Sequence, residues 1–107
     1  MTDVANELLA TMGNAAPPDN FGEPAQAMWW LAKGNWQMGA EWEAAHELCQ
    51  RGEGTVGYDL AHALAHWIEG DRFNSDYWYR RAGQARHSEN AQQEWQHLLA
   101  EFSADIH

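Results

Sequence analysis

Cysteine, lysine and long apolar runs are the scarce features of this chain. Cys49 is its single cysteine, which excludes an internal disulfide and is typical of proteins from a reducing cytoplasm. Lys33 is its single lysine, and six Lys and Arg stand against 16 Asp and Glu, giving a net charge of −10. This deficit of basic side chains argues against a general nucleic-acid binder and against binding to an anionic membrane surface.

Membrane and targeting segments are also missing from the sequence. No window approaches the run of about 18 apolar residues that a membrane span needs. The N-terminus lacks the basic region and apolar run of a signal peptide. We therefore expect a cytoplasmic protein with neither a membrane nor a nucleic acid as its partner.

Strand-forming patterns are absent too, and the remaining composition favours helices. No alternating β-branched run occurs in the 107 residues. Seven Trp, three Tyr and three Phe supply bulky core side chains for one domain with a single core. Short turns between helical segments predict antiparallel neighbours. We expect an all-α fold of five or six antiparallel helices in short hairpins.

Capping residues and glycines divide the chain into segments. A single helical domain over 1–107 is expected to contain an N-terminal helix and loop (1–23), helical hairpins (24–87) and a C-terminal helix (88–107). The expected helices run over 3–12, 24–33 and 56–69, from Asn74 or Ser75 to about 86, and from Ser88 through 102. A further helix is expected from a possible cap at Asn35 through 50, either continuous or as a one-turn piece followed by a firmer helix from about residue 40.

The densest stretch of aromatic and ionisable residues is 62–83, HALAHWIEGDRFNSDYWYRRAG. It contains two of the six histidines, two of the three tyrosines and three of the six basic residues. Residues 70–87 carry two acids and four arginines, a net charge of +2, whereas residues 1–69 carry −8. The only basic zone of an acidic chain therefore coincides with its most aromatic segment.

This stretch resembles a tetratricopeptide-type helical hairpin. The small, helix-ending and aromatic positions of that pattern fall on Ala63, Gly70, Ser75, Tyr79 and Ala82. The pattern's early Trp, Leu and Tyr positions fall instead on Asp59, His62 and His66. The resemblance implies a helical hairpin.

Residues 24–87 also resemble a set of small uncharacterised bacterial proteins that share a longer motif. Its members in this chain are Trp42, Ala45, His46, His62, Glu69, Gly70, Asp71, Asn74, Tyr77, Trp78, Tyr79, Arg80, Arg81, Ala82 and Gly83. This resemblance implies a bacterial helical protein and brings no function with it.

Histidines in the helix 56–69 suggest a metal site. Asp59, His62, His66 and Glu69 share an arc of about 80° at 100° per residue. Histidines four residues apart, followed by a carboxylate one turn on, can chelate a divalent transition metal. His46 or Glu47 from the neighbouring helix would add a ligand. The alternatives are a solvated helix face, or a hydrogen-bonded seam in which both histidines face Tyr79 across the hairpin.

A second candidate site follows the hairpin turn. Tyr77, Trp78, Tyr79, Arg80 and Arg81, with His46, would bind a protein, a peptide or a small anionic ligand. The alternative places Trp78 in the core and pairs the arginines with nearby acids.

Our leading hypothesis is a binding or scaffold module that uses this aromatic-arginine surface, with homo-oligomerisation as a further option. The second hypothesis is a small-molecule or metal site of His46, His62, His66 and Glu69. A histidine there would act as a ligand or a general base. We identify no catalytic residue, and no cofactor beyond a divalent metal is predicted, because the chain lacks a Gly-rich phosphate loop and a Gly-x-Ser-x-Gly motif.

Overall fold

The structure, a computed structural model, describes residues 3–106, with side chains from Val4 onward. This range is helical and contains no strand, which confirms the predicted all-α class. The helices are α1 (Asp3–Leu9), α2 (Glu23–Lys33), α3 (Ala40–Gln50), α4 (Val56–Glu69), α5 (Arg72–Arg81), α6 (Ala91–Leu98) and α7 (Ser103–Ile106), with a 3₁₀ turn at Leu99–Phe102 before α7. None of these helices in the described range combines the length and apolar character that crossing a membrane requires.

Helix α4 is the central element, since it packs against α2, α3, α5 and α6. Eight consecutive residues of α4, Asp59 to His66, are buried. Its alanines allow neighbouring helices to approach closely, and leucines fill the spaces between them. The polar residues of α4 are therefore inside the fold, which rules out the solvated-face alternative for His62 and His66.

A two-residue break joins α4 to α5. Gly70 takes a left-handed conformation (φ +89°), and the Asp71 amide donates to the carbonyl of His66, which closes α4. The Asp71 side chain then caps α5 by accepting from the backbone N–H of Asn74 at 3.1 Å. The expectation of a cap at Asn74 or Ser75 was wrong. Ser75 is buried and donates to the Ala63 carbonyl at 2.8 Å, which locks α5 onto α4.

The end of α5 and the start of α6 also differ from expectation. Helix α5 stops at Arg81 and not near residue 86, because Gly83 follows in the left-handed region (φ +75°). The cap of α6 is Asn90, whose side chain accepts from the Gln93 N–H at 2.9 Å, and not Ser88. Residues between α5 and α6 thus form a longer loop than the sequence suggested.

The N-terminal segment closes the core from one side. Helix α1 ends at Leu9 instead of residue 12, because the Thr11 hydroxyl donates to the Leu8 carbonyl and competes with the helical pattern.

Across the fold, the Trp95 indole donates to the Met28 carbonyl at 2.8 Å. This bond fastens α6 to α2.

Candidate functional site

Three histidine side chains meet where α3 packs against α4. His46 comes from α3, and His62 and His66 lie one turn apart on the face of α4 that meets it. One ring nitrogen of each lies within 4.8 Å of the other two. The ring centroids are 4.8 Å apart for His62 and His66, 4.9 Å for His46 and His62, and 5.2 Å for His46 and His66. These three residues are called the histidine cluster below.

The Nε2 atoms of His62 and His46 face each other. The two Nε2 atoms are 3.1 Å apart, so one ring donates its proton to the other. The second nitrogen of His62, Nδ1, is buried and has no hydrogen-bond partner in the described structure. His62 is 2% exposed. One nitrogen of this imidazole therefore lacks a hydrogen bond in a nearly water-free environment.

A carboxylate orients His66. Its Nδ1 lies 2.7 Å from Oε1 of Glu69, three residues further along α4. An ionised carboxylate only accepts hydrogen bonds, so Nδ1 carries the proton. The lone pair of the neutral ring is then on Nε2. Glu69 thus fixes both the tautomer and the orientation of this ring.

Two tryptophans form aromatic walls for the cluster. The Trp42 indole stacks on His46 at 4.9 Å with an interplanar angle of 10°, and the Trp78 indole stacks on His62 at 4.1 Å and 17°. Trp42 is itself held by donating to the Ala65 carbonyl at 2.8 Å. Stacking and this hydrogen bond restrict the rotamers of the imidazoles.

Burial also lowers the pKa of two members of the cluster. It lowers the pKa of His62 to about 3, with further lowering from the neighbouring His66 and His46. The pKa of His46 is lowered mainly by burial and then by His66, an effect that Glu69 partly opposes. Both imidazoles are therefore neutral at physiological pH, the form in which histidine binds a metal.

A second group of potential ligands adjoins the first. His66, Glu69 and Asp71 also bring one ligand atom each within 4.8 Å of one another. In this second group, however, Asp71 caps α5 and both of its carboxylate oxygens accept hydrogen bonds from Asn74. Asp71 is therefore already engaged by Asn74, while Oε1 of Glu69 accepts from His66.

The stretch Tyr77–Arg81 does not form a single surface, because successive residues of a helix point in different directions. Trp78 and Tyr79 are buried, and Tyr79 donates to the fully buried Glu94 at 2.6 Å. Arg80 and Arg81 are exposed, and Arg81 donates to the hydroxyl of the partly exposed Tyr77 at 2.9 Å. His46, the sixth residue predicted for this ligand site, belongs to the histidine cluster instead.

Sequence reasoning gave two residues of the site region no part in a site. Phe73, which is 78% exposed, lies one turn before Tyr77 on α5. Trp42 stands four residues before His46 on α3, a spacing that brings the rings together. That i, i+4 aromatic-histidine pair was a signal available in the sequence.

Comparison of the chain with known family models, with curated proteins and with solved structures gave no match. The resemblances to tetratricopeptide hairpins and to small bacterial proteins therefore stay predictions.

Proposed function

We propose that this chain is a cytoplasmic binding module whose histidine cluster holds one divalent transition metal ion, with zinc as the favoured ion. Imidazole nitrogen suits Zn²⁺ and neighbouring transition metals. In a tetrahedral site with Zn–N bonds of 2.0–2.1 Å, ligand nitrogens lie about 3.3 Å apart. The Nε2 atoms of His62 and His46 are 3.1 Å apart. The proposal rests on this convergence of three imidazoles from two helices.

The protonation and orientation of the ligands support the proposal. His46 and His62 do not have to lose a bound proton at neutral pH, because burial keeps both rings neutral. The bond from His66 Nδ1 to Glu69 is the carboxylate–histidine arrangement that commonly accompanies metal sites. With Nδ1 protonated, Nε2 of His66 is the nitrogen available for coordination.

Such an ion would join α3 to α4 at the centre of the fold. Three protein ligands leave one coordination position for water or an exogenous ligand. His46 is only half-buried, so solvent reaches the cluster from the α3 side. The tryptophan walls would keep the remainder of the site dry, which strengthens electrostatic interactions within it.

Zinc titration of metal-free protein tests the proposal. Isothermal titration calorimetry is expected to give one ion per chain. Thermal or urea denaturation is expected to show stabilisation, about 2.7 kcal/mol when free zinc is 100 times its Kd. His46→Ala removes a ligand that is already partly solvated, and should abolish binding without emptying the core. Glu69→Gln should weaken binding by about 10- to 100-fold.

The exposed His97 supplies a matched control, because it lies on α6 outside the cluster. His97→Ala should leave the zinc affinity unchanged. Zinc that neither binds nor stabilises the wild-type chain would overturn the proposal, as would equal losses in His97→Ala and His46→Ala. The cluster would then be a structural seam held by the His46–His62 and His66–Glu69 hydrogen bonds.

A protein-binding surface on α5 is a second candidate function. Phe73, Tyr77 and Arg81 follow one another at four-residue spacing and present one exposed stripe. The Arg81 guanidinium lies 5.8 Å from the centre of the Tyr77 ring, which pre-orients both side chains. Aromatic and arginine side chains are the residues that contribute most at protein interfaces.

Light scattering and pull-down measurements test this second candidate. Phe73→Ser combined with Arg81→Ala should lower the self-associated mass, or remove a captured partner, without lowering the melting temperature. Val56 is a matched control, since it is 50% exposed on another helix. If Val56→Ser has the same effect, or the double variant has none, the stripe is not an interface.

A further inference from the structure

A cavity of about 540 Å³ lies between α5 and the loop that leads to α6. This volume is within the range of small-molecule sites. Three of the chain's five arginines, Arg72, Arg80 and Arg86, line it, against the two carboxylates of Asp76 and Glu89. The cavity is therefore net positive in a protein whose charge is −10. No member of the histidine cluster lines it.

Arg86 lines the cavity and is held in a fixed position. Its Nη1 lies 2.8 Å from Oδ1 of Asp76, and its Nη2 donates to the Ser75 hydroxyl at 2.8 Å. The guanidinium also packs 4.6 Å from the Trp67 ring centre and 5.2 Å from that of Tyr79. Hydrogen bonds and stacking therefore hold this positive charge in place, which lowers the entropy cost of binding an anion beside it.

The other two arginines keep their donors available. Nε of Arg72 is 3.9 Å from Oδ1 of Asp76, too far for a hydrogen bond, and that carboxylate is already engaged by Arg86. Arg80 forms no ion pair with any residue in the described range. Each of these two guanidiniums offers a planar set of N–H donors that matches phosphate or carboxylate oxygens.

We propose that this cavity binds a small molecule that carries a phosphate or carboxylate group. Arg72 and Arg80 would donate to the oxyanion, and Arg86 would supply fixed positive charge. Arg72 precedes Asp76 by four residues and Arg80 follows it by four, so both start from the same side of α5. This proposal is independent of the metal proposal, since the two sites share no residue.

NMR titration of the intact chain tests the proposal, with inorganic phosphate and succinate as separate probes. Saturable shifts are expected at the arginine side-chain N–H groups of the cavity and at the Trp67 indole. Arg80→Gln should weaken binding about tenfold, as expected for a lost charge-assisted hydrogen bond. Arg51 is the matched control, because it is exposed, pairs with Glu23 and lies outside the cavity.

The two probes distinguish a phosphate ligand from a carboxylate ligand. Binding of phosphate alone would assign a phosphorylated ligand, binding of succinate alone would assign a carboxylate, and binding of both would support a general oxyanion site. Shifts that do not saturate, or equal weakening in Arg51→Gln and Arg80→Gln, would overturn the proposal. Thermal denaturation of each variant would separate lost binding from lost folding.

Discussion

Acid should destabilise this protein through His62 in particular. Burial lowers the pKa of His62 in the folded chain to about 3, against an ordinary value of 6.5 for an unburied histidine. The unfolded state therefore binds the proton first as the pH falls. The stability that His62 contributes is complete above about pH 6.5 and is lost progressively as the pH drops toward 3.

The size of this effect follows from the gap between the two pKa values. Each pH unit within that window costs about 1.4 kcal/mol. Between pH 7.5 and 4.5 the loss from His62 alone is therefore about 3 kcal/mol, a large share of the 5–15 kcal/mol that stabilises a typical domain. His46 adds to the loss in the same direction, because its pKa is also lowered.

Urea denaturation at several pH values, followed by tryptophan fluorescence in the presence of a chelator, measures this loss. His62→Phe keeps a flat ring against Trp78 but cannot be protonated. In this variant Nε2 of His46 loses its hydrogen-bond partner, but His46 is half-buried, so this atom can turn toward water. We expect the variant to lose about 3 kcal/mol less than wild type between pH 7.5 and 4.5.

The comparison between variants separates the effect of His62 on stability from that of the carboxylates, whose protonation in acid also changes the stability. His97→Phe removes a histidine outside the cluster and should follow the wild-type curve. If His62→Phe loses stability in parallel with wild type, the burial argument is refuted, and with it one support of the metal proposal.

Three further variants test the local structure. Gly70→Ala should lower the free energy of unfolding by about 1 kcal/mol, because its left-handed conformation disfavours a Cβ even in open space, whereas Gly13→Ala should not. In thermal denaturation, Asn90→Ala should cost about 1 kcal/mol and Ser88→Ala much less, since Asn90 is the cap. Tyr79→Phe should cost about 2 kcal/mol in urea, because a buried carboxylate loses its O–H donor; an unchanged midpoint would contradict this.

Local sequence signals predicted most of the fold and part of the site. The missing β-branched alternation excluded strands, and Gly70 marked the end of α4. Capping side chains were less predictable, because Asp71, Asn74 and Ser75 are all good caps within five residues. The choice among them depended on tertiary contacts: Ser75 is used to bind the Ala63 carbonyl, which leaves the cap to Asp71.

The same limit applies to the histidine cluster. Spacing of four residues places His62 and His66 on one side of a helix, whatever surrounds that helix. Sequence periodicity predicted leucines on the opposite side and so left open whether the histidines face water. The structure decides this, because α3 and α5 cover that side with His46, Trp42 and Trp78.

The sequence by itself determined the helical class, the concentration of positive charge after residue 70 and the pairing of His62 with His66. These properties depend only on residue types and on neighbours along one helix. The tertiary structure alone decided that His46 joins them, that burial lowers the pKa of His46 and His62, and that Arg86 packs against Trp67 and lines a cavity. Each of these depends on elements distant in sequence being packed together, and helix packing is set by the whole core.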